Sequence, residues 1–194
     1  MLEILTKIKA DVETLDRRAI SALVYAAIGL TAIFYLKTPE AADAFFGVTI
    51  FAHPVNNNLA QLEWWVAVVV VFYFLIPAAI IKFHWNLNLS DFGLKFSIEN
   101  GFWKLLAASI ALMLPLTYLM SLTSGFGAKY PFLQIYNGEP YISQTLLIWE
   151  LIYFLQFFGL EFFFRGFLVH SLKPALGLYS IFVMTVPYCM IHFG

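Results

Sequence analysis

The chain has 194 residues, of which 61% are hydrophobic and only 12% charged, with a formal net charge of −1 and a mean hydropathy of +0.80. Soluble domains carry about 25% charged residues, so this composition excludes a water-covered globule, and no basic patch offers a nucleic acid its phosphate contacts. It implies an all-α, polytopic transmembrane helix bundle of about five spans in contact with membrane lipid, with 21 Phe for the lipid face and Trp and Tyr for the interfaces.

At the start of the chain, Leu2, Leu5, Ile8, Val12 and Leu15 recur at spacings of three and four. The spacing predicts an amphipathic helix over residues 1–18, either lying on the membrane surface or packed as a solvated helix on the rest of the protein. This segment lacks the apolar core and small-residue cleavage site of a signal peptide, so the first hydrophobic stretch is expected to be retained as a span.

Residues 19–88 read as two spans with an interfacial loop. The first span covers about Ile20 to Leu36. Residues 37–60 mix apolar and turn residues, and Pro54 with Asn56 to Asn58 breaks helix. The reading is a loop with a short re-entrant piece around Phe45 to Phe51. The second span covers about Leu62 to Ile81, opened by Trp64 and Trp65.

A polar connector, KFHWNLNLSDFGLKFSIENG, runs from Lys82 to Gly101. A third span follows from Phe102 to Leu122, with Pro115 marking a kink, then a loop over 123–141. The fourth span covers about Ile142 to Leu168, and a turn is expected at Leu172 to Pro174. The fifth starts near Leu176 and is still apolar at Gly194, so more chain is expected beyond. With the N-terminus in the cytoplasm, Lys7, Lys9, Arg17, Arg18, Lys82, Lys95, Lys104, Arg165 and Lys173 fall on or near the cytoplasmic side, against Lys37 and Lys129 outside.

Chemistry concentrates in IWELIYFLQFFGLEFFFRGFLVHSL, where Glu150, Glu161 and Arg165 lie in or beside an apolar helix. An ionisable side chain costs roughly 2.5–3.5 kcal/mol at a helix centre, and such groups usually face a bundle interior or a wet cavity. Glu161 and Arg165, four apart, share a face and can pair. Glu150, eleven residues earlier, lies on the same stripe about 16 Å away. Spacing alone fits equally a paired anchor with Arg165 snorkelling to the interface.

Tyr188 and His192, also four apart, stand on the next span. Glu161 and His192 on adjacent spans have the chemistry to hold and deprotonate a water, or to relay protons in a transporter. His170, nine residues after Glu161, falls on roughly the opposite face and reads as interfacial; His53 and His84 read as solvated. The one cysteine, Cys189, forbids an intrachain disulfide and reads as a small buried apolar residue or a cavity-lining one.

EFFFRG followed on the next span by an aromatic four residues before His resembles the CAAX-protease and bacteriocin-processing (CPBP, or Abi) family of intramembrane proteases. The segment Leu89-Ser90-Asp91-Phe92-Gly93-Leu94-Lys95 is similar to the one that precedes the family's core, and the resemblance covers about residues 89–194. It implies a helical membrane bundle that cuts a peptide bond in a membrane-associated, prenylated or bacteriocin-type substrate. Glu161, Arg165, Tyr188 and His192 match the motif positions, and Leu160 stands at the family's first glutamate. The third motif, His followed four residues on by Asn or Asp, is expected beyond Gly194.

In that scheme Glu161 and His192 activate water, Arg165 orients the glutamate and Tyr188 shapes the pocket. No cofactor is implied. Metal dependence stays open, since the HExxH pairing is absent. Two alternatives remain beside the protease: a catalytically inactive relative acting as a membrane binding or immunity protein, and a small proton-coupled transporter subunit.

Overall fold

A computed structural model describes residues 15–49, 57–95, 97–98, 100–130, 132–135, 138–140 and 142–192. Almost all of the amphipathic segment expected over 1–18 lies outside these residues, as does Pro54. Among the described residues every regular element is helical.

The first helix, α1 (Arg17–Leu36), begins where Asp16 accepts hydrogen bonds from the Arg18 and Ala19 amides at 2.8 and 2.9 Å, satisfying two of the donors that a helix start leaves open. Its buried stripe is Ala19, Ala22, Ala26, Gly29 and Ile33. Small residues at spacings of three and four let neighbouring helix backbones come close, which is how helices associate in lipid.

A short helix, α2 (Pro39–Phe46), follows. It is capped by Thr38 and closed by Gly47 at a φ of +65°. The 37–60 segment is therefore not a continuous loop: Thr38-Pro39 is a helix-start signal, with Pro at a position whose amide has no partner to lose.

The second long helix, α3 (Leu59–His84), starts at Asn58, whose side chain accepts from the Gln61 amide. It is π-helical over Val71–Leu75 and again over Ile80–His84. Pro77 lacks the amide that would bond one turn back, and the Tyr25 hydroxyl of α1 donates to the Phe72 carbonyl at 2.6 Å. A helix that loses a ladder bond to Pro is expected to widen nearby and to find a side-chain donor for the freed carbonyl.

Helix α4 (Phe102–Ser121) runs unbroken through Pro115 and buries none of its residues; α5 (Ser124–Lys129) packs against it. Helix α6 (Gln144–Leu176) is the longest, and α7 (Tyr179–Met190) completes the order. Four of these helices, α1, α3, α4 and α6, are long and apolar enough to cross a membrane. The fifth expected span appears as α7, which is apolar but has 12 residues.

The turn expected at Leu172 to Pro174 is corrected. The chain stays helical to Leu176 and turns at Gly177, which takes a φ of +56°. Pro174 withholds one bond from the last two turns, a small loss there, whereas Gly177 alone can adopt the positive φ without strain.

The core lies where α1, α3, α6 and α7 meet. At one end Phe163, Phe164, Phe167, Tyr73, Ala22 and Ile81 are buried together. At the other, Leu62, Val66, Leu133 and Trp149 form a smaller cluster, with Trp149 stacked on Phe132 and Tyr153.

Candidate functional site

The segment carrying Glu161 and Arg165 is the most heavily enclosed part of the bundle. Phe162–Leu168 is π-helical, and all of it except Arg165 is buried. Each ring finds its own neighbour. Phe162 meets Phe74, Phe163 stacks on Tyr73, Phe164 meets Tyr73 and Tyr188, and Phe167 stacks on Trp85 at 5.4 Å with the planes 5° apart. Aromatic residues on all sides of one helix can be buried only if it is surrounded, and α1, α3, α7 and the connector surround it. Arg165 occupies the remaining gap.

Arg165 Nη1 lies 2.6 Å from Glu161 Oε2, with 66% and 40% of the two side chains exposed. A pair this exposed holds two side chains in register more than it stabilises the fold. The pair lines a recess of about 240 Å³ whose other walls are Phe92, Gly93 and Leu94 of the connector and Phe158, Phe162 and Gly166 of α6.

The connector reaches this place by a 3-10 turn, Leu89–Phe92, that ends at Gly93 with a φ of +88°. Phe92 is buried beside Trp85, and its carbonyl oxygen would stand 2.6 Å from a Cβ at Gly166. Only glycine lets the connector backbone seat so closely on α6. Sequence reasoning identified EFFFRG and LSDFGLK but not Gly166 as their point of contact. A glycine inside an apolar helix was the available signal.

Tyr188 and His192 lie on α7 and at its end. The Tyr188 ring stands edge-on to Phe164, with centroids 5.1 Å apart and planes at 89°. His192 Nδ1 donates to the Tyr188 carbonyl at 3.0 Å, leaving Nε2 as the free ring nitrogen. Consecutive helices α6 and α7 run antiparallel. Glu161 is three residues before Phe164 and His192 four after Tyr188, so both stand about one turn beyond the Phe164–Tyr188 contact, at similar depth. Among the described residues no hydrogen bond or ion pair joins Glu161 or Arg165 to Tyr188 or His192.

Leu160 is 7% exposed and packs in the core. Glu150 is exposed. Cys189 is exposed rather than buried, because α7 has one packed side and Cys189 follows Tyr188 on the other. His170, expected on the face opposite Glu161, instead stands with its ring 6.1 Å from that of Phe92, beside the connector that also walls the Glu161 recess. The π-helical stretch explains this: an extra residue in a turn moves everything downstream by roughly 100° around the axis. Among the described residues no three His, Cys, Asp or Glu side chains gather as a metal site.

The chain matches no protein-family model, no curated protein and no solved structure.

Proposed function

We propose that the chain is an intramembrane endopeptidase of the kind its motifs resemble. The observation that supports this best is the Phe164–Tyr188 contact, which joins the EFFFRG helix to the YxxxH helix. It leaves a carboxylate and an imidazole at similar depth on adjacent helices. In this reading the Glu161 carboxylate takes a proton from water as the oxygen adds to the peptide carbonyl. His192 Nε2 accepts a hydrogen bond from that water and holds it in place, and the protonated Glu161 then gives its proton to the departing amine as the C–N bond breaks. Arg165 fixes the carboxylate's rotamer through the ion pair, and Tyr188 closes the pocket against Phe164. General acid–base groups of this kind contribute about 10²–10⁴-fold each.

The test is cleavage of membrane-anchored fluorogenic peptides by the protein reconstituted in liposomes. Glu161→Gln and His192→Ala are each expected to abolish turnover while leaving the helical content unchanged. Normal cleavage by either variant overturns the mechanism.

Leu160 favours a second reading, a relative that binds a membrane peptide or protein without cutting it. The first motif position carries no carboxylate and is packed in the core. In that case an active-site-directed probe leaves the protein unlabelled, although it still retains peptide in a pull-down.

A further inference from the structure

The described cations are unevenly distributed along the bundle. Arg17 and Arg18 open α1, Lys82 lies in the last turn of α3, Lys95 follows the connector turn, and His170 and Lys173 lie in the last turns of α6. These elements share one end: α1 packs against Val169–Leu176, Trp85 on Phe167, and Phe92 beside His170.

Within that end, three groups converge. His170 and Lys173 are three residues apart on α6 and so share a face. Lys95 is three residues past Phe92, whose ring meets that of His170. Lys173 and Lys95 both lie within electrostatic reach of the His170 ring. Both lysines are exposed, and neither belongs to the Glu161–Arg165 salt bridge. Like charges held close together repel one another and favour an anion between them.

The surroundings identify the anion's source. Phe83, Leu178 and Tyr179 are 80%, 75% and 74% exposed at the same end. Large apolar and aromatic side chains around a cation cluster suit the boundary between headgroups and acyl chains, not open water. At 1.5 Å per residue the 33 residues of α6 span about 50 Å, longer than the roughly 30 Å hydrocarbon core, so its last turns reach headgroup depth.

We propose that Lys95, His170 and Lys173 form a binding site for the phosphate headgroup of an anionic phospholipid, seated on the connector and the end of α6. The two ammonium groups and the imidazole N–H donate to phosphate oxygens, and the acyl chains run down the exposed apolar side of the bundle. The lipid ties the connector to α6 from outside, as Phe92 does from within.

The experiment uses the full chain in phosphatidylcholine nanodiscs or neutral detergent. Bound lipids are counted by native mass spectrometry, and thermal stability is measured with added phosphatidylglycerol, phosphatidylcholine or inorganic phosphate. The unmodified protein is expected to retain phosphatidylglycerol in preference to phosphatidylcholine and to melt higher with it. Each lysine neutralised, Lys95→Gln or Lys173→Gln, is expected to weaken retention about fivefold, whereas Lys37→Gln on α1's far end leaves it unchanged. Equal retention of the two lipids by the unmodified protein overturns the site, whether or not the variants fold. So does an equal loss in Lys37→Gln, which indicates net charge alone. Stabilisation by inorganic phosphate matching that by phosphatidylglycerol assigns the cluster to a soluble anion and overturns the lipid.

Discussion

Replacing Gly166 by alanine tests whether the connector is seated on α6. The added Cβ would lie 2.6 Å from the Phe92 carbonyl oxygen and 3.1 Å from Phe162 Cδ2. The first contact is with backbone and cannot be relieved by a rotamer change, so the connector must lift or α6 must shift. Overpacking of this kind costs about 1–3 kcal/mol. At about 2–4 °C per kcal/mol for a chain of this size, the melting temperature is expected to fall by roughly 2–12 °C. The loss should be local as well as global: Phe92 loses its place beside Trp85, and the amides of Leu89 to Leu94 exchange faster. Gly159→Ala is the matched control. Its Cβ would meet Tyr73 Cβ at 3.5 Å and Phe74 Cβ at 3.9 Å, ordinary contacts. There the gain in helix propensity, about 1 kcal/mol at most, is expected to leave stability unchanged or slightly higher. Thermal melts in detergent and hydrogen exchange measured by mass spectrometry read both variants. A Gly166→Ala protein as stable as Gly159→Ala, with unchanged exchange over 89–94, refutes the seating of the connector.

Two further predictions follow from the same packing. Tyr25→Phe keeps the ring against Phe163 and Phe167 but removes the donor to the Phe72 carbonyl; leaving that acceptor unpaired in an apolar setting should cost about 1–3 kcal/mol, read as a lower melting temperature with unchanged helical content. In a Cys189→Ser background, a cysteine introduced at Ser90 is expected to react with a membrane-impermeant maleimide only from the cytoplasmic side, and one at Lys37 only from outside, as the distribution of basic residues implies; the reverse labelling pattern refutes the proposed orientation.

Four long apolar helices were legible in the sequence because hydropathy alone records them, and their limits fell within a few residues except at the end of α6, which runs eight residues past the expected Leu168. The short helix Pro39–Phe46 was missed because its eight residues carry too little apolar periodicity to stand out from the loop around them. Pro174 misled because proline signals a break more often than it enforces one; near a helix end it removes a single bond, and Gly177 set the real stop. The side on which His170 falls depended on the π-helical stretch from Phe162 to Leu168, and nothing in a count of 100° per residue announces a change of pitch. Glu161 with Arg165 was legible, since i and i+4 remain neighbours. The partner across the recess was not, because it comes from a connector about seventy residues earlier.

With α6 read as a membrane span, its polar groups can be set against depth in the bilayer. From Gln144 to Gly166 the helix rises about 33 Å, close to the thickness of a hydrocarbon core, and Gly166 is where the connector crosses. Arg165 therefore stands at the edge, two-thirds exposed, and Glu161 about one turn inside, held by the guanidinium. Gln156 is a further five residues in and only 7% exposed. The sequence thus places a neutral amide near the middle of this stretch and sets the Glu161–Arg165 pair in its last turn, with the exposed Glu150 about 9 Å in from the Gln144 end. A full charge costs most at the bilayer centre and progressively less towards the interface. The ion pair is consequently tolerable where it is, without further partners, and the recess it lines opens beside the connector rather than in the middle of the membrane. In the proposed protease reading a substrate reaches Glu161 from that end, past Phe92 and Leu94, so Gly166→Ala, which displaces the connector from α6, is expected to alter access to the site as well as stability.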